Sequence, residues 1–287
     1  MDQTTRPYRS VLYIPGSKER ALEKAKSLPV DAIIFDLEDA VAVDEKVNAR
    51  ALLAATLRAG GFGDRAKIVR VNGLDTPWGT DDAAAMADVG ADAILLPKVD
   101  NALDIKPLTD LLGPDLPVWA MIETPRSIIN AMEIAAHPRV TGFVLGTNDL
   151  AKDLNCRFRA DRLPLMASLQ LSLLAARAHG VICVDGVYNA FKDDEGLRAE
   201  CEQGRDLGFD GKTLIHPAQV AIANDVFAPS EAEVDLAQRQ IQAFADAEAA
   251  GQGVAVVDGK IVENLHVATA RATLAKAAAI AALELAT

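Results

Sequence analysis

Pro117-Val118-Trp119-Ala120-Met121-Ile122-Glu123-Thr124-Pro125 reads as an apolar strand, then one acid, then the start of a helix. Thr124 is a good N-cap, and Pro125 stands where the missing N–H costs nothing. The same grammar recurs along the chain. Apolar runs occupy Val11–Ile14, Ala32–Phe35, Lys67–Val71, Ala93–Leu96, Gly142–Leu145, Val181–Val184 and Thr213–Ile215. Helical patterns follow them near 17, 45–58, 78–88, 101–112, 163–178, 194–206 and 217–226. The runs are nearly continuously apolar, as strands covered on both faces are. Strand–helix alternation means α/β, and eight repeats in roughly 225 residues predict a (β/α)₈ TIM barrel. The competing doubly wound open sheet would carry a glycine-rich first turn. None follows Val11–Ile14, where Pro15-Gly16-Ser17 closes the run.

The reading places the barrel over 1–228 and a C-terminal helix–hairpin–helix extension over 229–287. A helix over about 230–250 breaks at Gly251-Gln252-Gly253. Val254 to Val262 folds back on an Asp258-Gly259 turn, and an alanine-rich helix closes the chain. The extension is expected to pack on the barrel or on a neighbouring subunit, as a lid.

The chain has 287 residues, half of them hydrophobic and 24% charged, which excludes a disordered chain. A chain of this length builds a core without disulfides. Lys plus Arg number 29 and Asp plus Glu 41, a net charge of −12. That argues against nucleic-acid binding, which needs a basic field. Cys156, Cys183 and Cys201 form no C-x-x-C pair and read as free thiols of a reducing cytoplasm. The start MDQTTRPYRS has no apolar core of a signal peptide, and no run is long enough to span a membrane.

In such barrels the chemistry sits where strands end. Glu123 and Asp149 end consecutive strands about 4.8 Å apart, so both could reach one ion. Two carboxylates without His or Cys suit Mg²⁺, with Mn²⁺ as a substitute. The bland alternative pairs each acid with an arginine such as Arg126 or Arg70. Arg70 offers a planar fork for a substrate carboxylate, or else an ion pair with Asp36 or Glu38. Gly146-Thr147-Asn148 offers backbone N–H groups to an anion. Lys98 suggests a Schiff base, but an amine among so many carboxylates stays protonated, which disfavours that chemistry. His216 is read as a loop-fixing residue, and no serine triad is legible.

RSVLYIPGS (9–17), FDLEDAV (35–41) with Lys46 and Ala49-Arg50 after it, RVNG (70–73), LLPKV (95–99), IETP (122–125), LGTNDLA (145–151) and GKTLIHPAQV (211–220) occur in one order. Together they resemble the citrate lyase beta-subunit family of the HpcH/HpaI aldolase superfamily, with malyl-CoA and citramalyl-CoA lyases among its relatives. The likeness covers about 9–227 strongly and the tail more loosely. It implies a barrel assembled as homotrimers or homohexamers, with Mg²⁺ on Glu123 and Asp149. It implies that Arg70, Gly146, Thr147 and Asn148 hold the substrate, with Asp36 and Glu38 close by. Coenzyme A would cross the mouth near Tyr13, Ser17, Lys18 and Pro217, where Lys18 and Arg20 flank a helix start that suits a polyanion. In the lyases the tail carries an acid/base Asp, contributed by a neighbouring subunit. Here that position is Glu263, one methylene longer.

The leading expectation is a Mg²⁺-dependent carbon–carbon lyase. It would cleave or form a short 3-hydroxy-dicarboxylic acyl-CoA, such as malyl-CoA or citramalyl-CoA, giving a 2-oxo acid and an acyl-CoA. Asp36 would take the hydroxyl proton and Glu263 would protonate the enolate. A second expectation is a hydrolase in the same pocket, acting on malyl-CoA or a diketo acid. A third is the beta subunit of a citrate lyase complex, acting on an acyl-carrier-protein thioester.

Overall fold

The computed structural model describes residues 6–286. Two compact units divide the chain, one over Tyr8–Phe227 and one built from Ala228 onward with Arg6 and Pro7.

In the first unit eight parallel strands close into a barrel in chain order. They are β1 (Ser10–Pro15), β2 (Ala32–Asp36), β3 (Ala66–Arg70), β4 (Ala93–Leu96), β5 (Val118–Ile122), β6 (Val140–Leu145), β7 (Ile182–Asp185) and β8 (Gly211–Leu214). β8 pairs back onto β1 through Ser10–Leu12 and Lys212–Leu214, so no edge is left open. The TIM barrel expected from the repeats is the fold observed. The eighth strand starts two residues earlier than its apolar signal, at Gly211, because Lys212 is a strand residue that the pattern hides.

Side chains leave each strand alternately inward and outward. Val11, Ile34, Ile68, Leu95, Trp119, Met121, Val144 and Val184 fill the lumen. Leu12, Ile33, Phe35, Val69, Ile94, Phe143 and Leu214 pack outward beneath the helices. Each such buried side chain contributes about 1.5–3 kcal/mol. Both faces are therefore apolar, which is why the runs are continuous.

The helices between strands include α1 (Glu19–Ala25), α2 (Lys46–Ala59), α3 (Gly79–Met86), α4 (Lys106–Leu111), α5 (Pro125–Ile129), α6 (Ala131–Ala135), α7 (Thr147–Asp153), α8 (Met166–His179), α9 (Asp194–Leu207) and α10 (Val220–Phe227). The Thr124 cap is observed: its hydroxyl accepts from Ser127 N–H at 3.0 Å. Helix α7 lies in what the sequence presented as a long connection, and it places Asp149 in its first turn.

The second unit consists of α11 (Glu231–Ala249), the antiparallel pair β9 (Ala255–Val257) and β10 (Lys260–Val262), and α12 (Asn264–Ala286). Ser230 and Glu233 form a capping box on α11. The hairpin turns through Asp258 and Gly259, both at positive φ (48° and 74°), the type I′ geometry. Phe244, Ala247, Val257, Val262 and Val267 form its core. Among the described residues no helix is long and apolar enough to cross a membrane, and the three cysteines are free.

Candidate active site

A cavity of about 320 Å³ opens at the C-terminal mouth of the barrel. Tyr13, Asp36, Arg70, Met121, Glu123 and Gly146 to Asp149 line it, so the ends of strands far apart in sequence meet there.

Glu123 follows β5 and is only 1% exposed. Its Oε1 accepts the Lys98 N–H at 2.8 Å. Lys98 holds left-handed backbone (φ 51°), a conformation that a lysine adopts rarely, and this turn aims its N–H at the carboxylate. A Cβ on Gly146 would land on Glu123 Cβ and Oε2, so the absence of a side chain there makes room for the acid. Burial pushes the Glu123 carboxyl up to about 7; the Lys98 N–H and Arg70 oppose this, and Asp149 adds to it. Asp149, half-buried, lines the same cavity. A buried carboxyl that holds its proton tightly beside a second acid is a pair suited to a divalent cation. Two carboxylates leave most positions to waters and substrate oxygens, which fits Mg²⁺ better than a protein-caged ion. No cluster of three or more metal-binding side chains occurs among the described residues.

Arg70 ends β3 directly opposite Asp36 at the end of β2. Its Nε donates to Asp36 Oδ1 at 2.8 Å and its Nη2 to Oδ2 at 2.7 Å. Asp36 also accepts the N–H groups of Glu38 and Ala40 at 2.9 and 3.0 Å. With four donors on two oxygens, Asp36 is an anchor for Arg70 and the following turn. A proton from substrate, as expected for Asp36, would have to compete with those four bonds. Arg70 Nη1 lies 2.8 Å from Glu38 Oε2, a close ion pair lacking the alignment of a hydrogen bond. Nη1 also donates a long hydrogen bond of 3.5 Å to the exposed Asp39, so Nη1, held by Glu38 and Asp39 and not by Asp36, is the side of the fork that a substrate carboxylate could take. Burial raises the Glu38 carboxyl to about 7, with Arg70 pulling the other way and Asp39 and Glu123 adding to the rise.

Gly146 donates its N–H to Ile122 O at 3.1 Å, so it is not a substrate donor; its contribution is space. Thr147 and Asn148 begin α7, where first-turn N–H groups have no partner within the helix. Asn148 exchanges side-chain bonds of 2.8 and 3.2 Å with Asn189. Ser17 and Lys18 follow β1, and Pro217 follows β8, the strand paired with it. Tyr13, grouped with them as a coenzyme A contact, instead lines the floor of the cavity beneath Arg70. Glu263 belongs to the second unit, where it is exposed and its N–H donates to His266 Nδ1 at 3.0 Å.

Two supporting groups were not legible as such. Lys46 Nζ donates to the carbonyls of Leu37 and Glu38 and to Asn72 Oδ1 at 2.7–3.0 Å, fixing the turn that carries Glu38. At the other side Lys212 Nζ bonds Asp185 (2.9 Å) and Glu200 (2.7 Å), and Arg162 Nη1 bonds both Asp185 oxygens at 2.7 Å. Lys212 and Asp185 are fully buried, and they tie β7 to β8 and α9. A lysine inside an otherwise apolar strand was the available signal.

Residues 9–217 match the model of the HpcH/HpaI aldolase/citrate lyase family. The chain belongs to that family. It is 68% identical over 282 residues to a (3S)-malyl-CoA thioesterase of Cereibacter sphaeroides (strain ATCC 17025 / ATH 2.4.3), covering 98% of this chain and 99% of that one. The citrate lyase subunit beta of Escherichia coli (strain K12) is 35% identical over 284 residues, covering 95% and 94%. Among solved structures, the protein CitE from Mycobacterium tuberculosis in complex with magnesium, acetoacetate and coenzyme A superposes with a TM-score of 0.79 at 29% identity, covering 96% of this chain and 99% of that one. These findings bear out the family and the enzyme class at the coarse level, and they overturn the leading expectation. Near-full-length relatives at 68% identity are named for hydrolysis of a thioester, not for carbon–carbon cleavage. The carbon–carbon lyase reading is accordingly withdrawn. Its physical weak point was Glu263: a carboxylate displaced by about 1 Å can cost roughly a hundredfold in a carbon proton transfer.

Proposed function

We propose that this protein is a divalent-metal-dependent thioesterase that hydrolyses a short hydroxy-dicarboxylic acyl-CoA, with (3S)-malyl-CoA as the first substrate to test. The observation that carries the reading is the 68% identity to thioesterases of that substrate across 98% of the chain. The cavity agrees with it in chemistry: it pairs two acids for a cation with a buried guanidinium for a carboxylate.

Glu123 and Asp149 would hold Mg²⁺ or Mn²⁺, which would supply positive charge and Lewis acidity beside the bound acid. Arg70, kept in orientation by Asp36, takes the substrate carboxylate at Nη1 as Glu38 swings off. The N–H groups of Thr147 and Asn148 steady the same end. The thioester carbonyl then faces the mouth, and the coenzyme A arm leaves past Ser17, Lys18 and Pro217. Glu38, with its proton affinity raised to about 7 by burial, takes a proton from the attacking water as the water oxygen bonds to the thioester carbon. The carbon–sulfur bond breaks, and Glu38 returns the proton to the departing sulfur. Malate and coenzyme A result. Glu263 would act as an auxiliary acid/base contributed by a neighbouring copy in a homotrimer or homohexamer. The setting is cytoplasmic, where coenzyme A thioesters and reduced thiols coexist.

Incubation of the purified full chain with (3S)-malyl-CoA, with and without Mg²⁺, tests this. Free coenzyme A and malate in equal amounts are expected, and only with the ion. Release of glyoxylate with acetyl-CoA, or no release of coenzyme A, refutes the reading.

A further inference from the structure

The floor of the cavity holds a donor that the hydrolysis above leaves unused. Tyr13 is the residue of β1 that turns inward at the mouth, two positions beyond Val11 in the lumen. The Arg70 guanidinium lies over its ring, 5.0 Å from the centroid. Its hydroxyl crosses to β5 and meets Met121 Sδ at 3.5 Å. A thioether sulfur is a weak acceptor, whereas a phenol is a good donor. Tyr13 thus lines the cavity with its strongest polar group on a partner of little value. The surrounding side chains are Arg70, Asp36, Glu123 and Glu38; burial first, and then the three acids against Arg70, keep the phenol protonated and able to donate.

We propose that Tyr13 contacts the substrate: its hydroxyl leaves Met121 Sδ and donates a hydrogen bond to an oxygen of the acid bound beside Arg70. The identity of that acid rests on the thioesterase reading; the contact requires only that a small oxo or hydroxy acid occupies the cavity. Ring and hydroxyl then have separate tasks. The ring supports the guanidinium by a cation–π contact, and the hydroxyl reads the ligand.

Tyr13→Phe separates them, because it keeps the ring and removes the oxygen. Calorimetric titration of the full chain with oxaloacetate in the presence of Mg²⁺ is expected to show binding about ten- to a hundredfold weaker than wild type. KM for (3S)-malyl-CoA rises by a similar factor. In wild type, oxaloacetate perturbs the tyrosine ultraviolet absorption, and Tyr13→Phe lacks that change. This spectrum tests the contact even if the variant folds poorly. Affinity within twofold of wild type, or a wild-type tyrosine spectrum blind to the acid, overturns the proposal. Lost oxaloacetate affinity in Tyr13→Phe, with no hydrolysis of malyl-CoA by wild type, sinks the thioesterase reading and keeps this one. Normal hydrolysis with unchanged Tyr13→Phe affinity does the reverse.

Discussion

Asp36 and Arg70 stand opposite each other on β2 and β3, joined by parallel hydrogen bonds of 2.8 and 2.7 Å in side chains that are 1% and 8% exposed. A planar fork meets a planar carboxylate there, so the guanidinium is aimed before any ligand arrives. Lysine cannot reproduce that fork. Arg70→Lys is expected to lower kcat/KM for malyl-CoA about a hundredfold, measured as coenzyme A release. Asp36→Ala leaves a buried cation without its main partner and should cost about 3–5 kcal/mol in urea unfolding.

The two acids at the ends of β5 and β6 give a metal prediction. A chelator should abolish coenzyme A release, and added Mg²⁺ should restore it fully. Glu123→Gln and Asp149→Asn should each lose at least about a hundredfold in activity, and Mg²⁺ should not rescue them. Calorimetry with Mn²⁺ checks whether the loss is one of metal binding. Wild-type affinity in both variants would place the ion elsewhere.

Gly146→Ala probes the closeness of Glu123 without removing any acid. The added methyl would meet Glu123 Cβ and Oε2, forcing the carboxylate from its position. Metal affinity should fall about ten- to a hundredfold, and the melting temperature should fall as well, because Glu123 Cβ is anchored to the backbone and cannot simply swing aside. Retained affinity would mean that Glu123 does not need this position.

Asp185 predicts a limit on acid stability. Burial alone would raise its carboxyl, but Lys212 and Arg162 more than offset that and hold it below the ordinary value. A depressed folded pKa gives stability that is fully present above the unfolded value of about 3.9 and is lost as pH falls through the folded one. Denaturant titrations from pH 7 to pH 3 should therefore show stability falling at the acid end. Asp185→Asn should flatten that fall and cost about 3–5 kcal/mol at pH 7. An unchanged acid limb in the variant would assign the fall to other carboxylates.

The strands were legible because a parallel barrel buries both of their faces, and the acids because Glu123 interrupts an apolar run where a strand ends. Asp149 was legible only by counting strands, since α7 was hidden in a connection. Contacts between distant positions left no local trace. Asp185 and Lys212 are 27 residues apart in sequence, and only closure of β7 onto β8 brings them together. The left-handed turn at Lys98 has no signal, because lysine is not a residue chosen for that conformation. Tyr13 was grouped with coenzyme A through the family resemblance alone; that its side chain turns inward from β1 to line the cavity is set by strand alternation and closure of the barrel. Whether the thioester or a carbon–carbon bond is broken could not be read from the strand ends, which serve both chemistries; the likeness to whole relatives named as thioesterases is what favours the former.

The charge balance of the mouth imposes a compulsory sequence of arrivals. Asp36, Glu38, Asp39, Glu123 and Asp149 stand around Arg70 and Lys98, so under the proposed function an unloaded mouth disfavours the single carboxylate of a malyl thioester. A divalent ion held by Glu123 and Asp149 would reverse part of that field and let the thioester enter after it. Initial rates at varied ion and thioester should fit ion first and acid second, with saturation by the acid meaningless until the ion is seated.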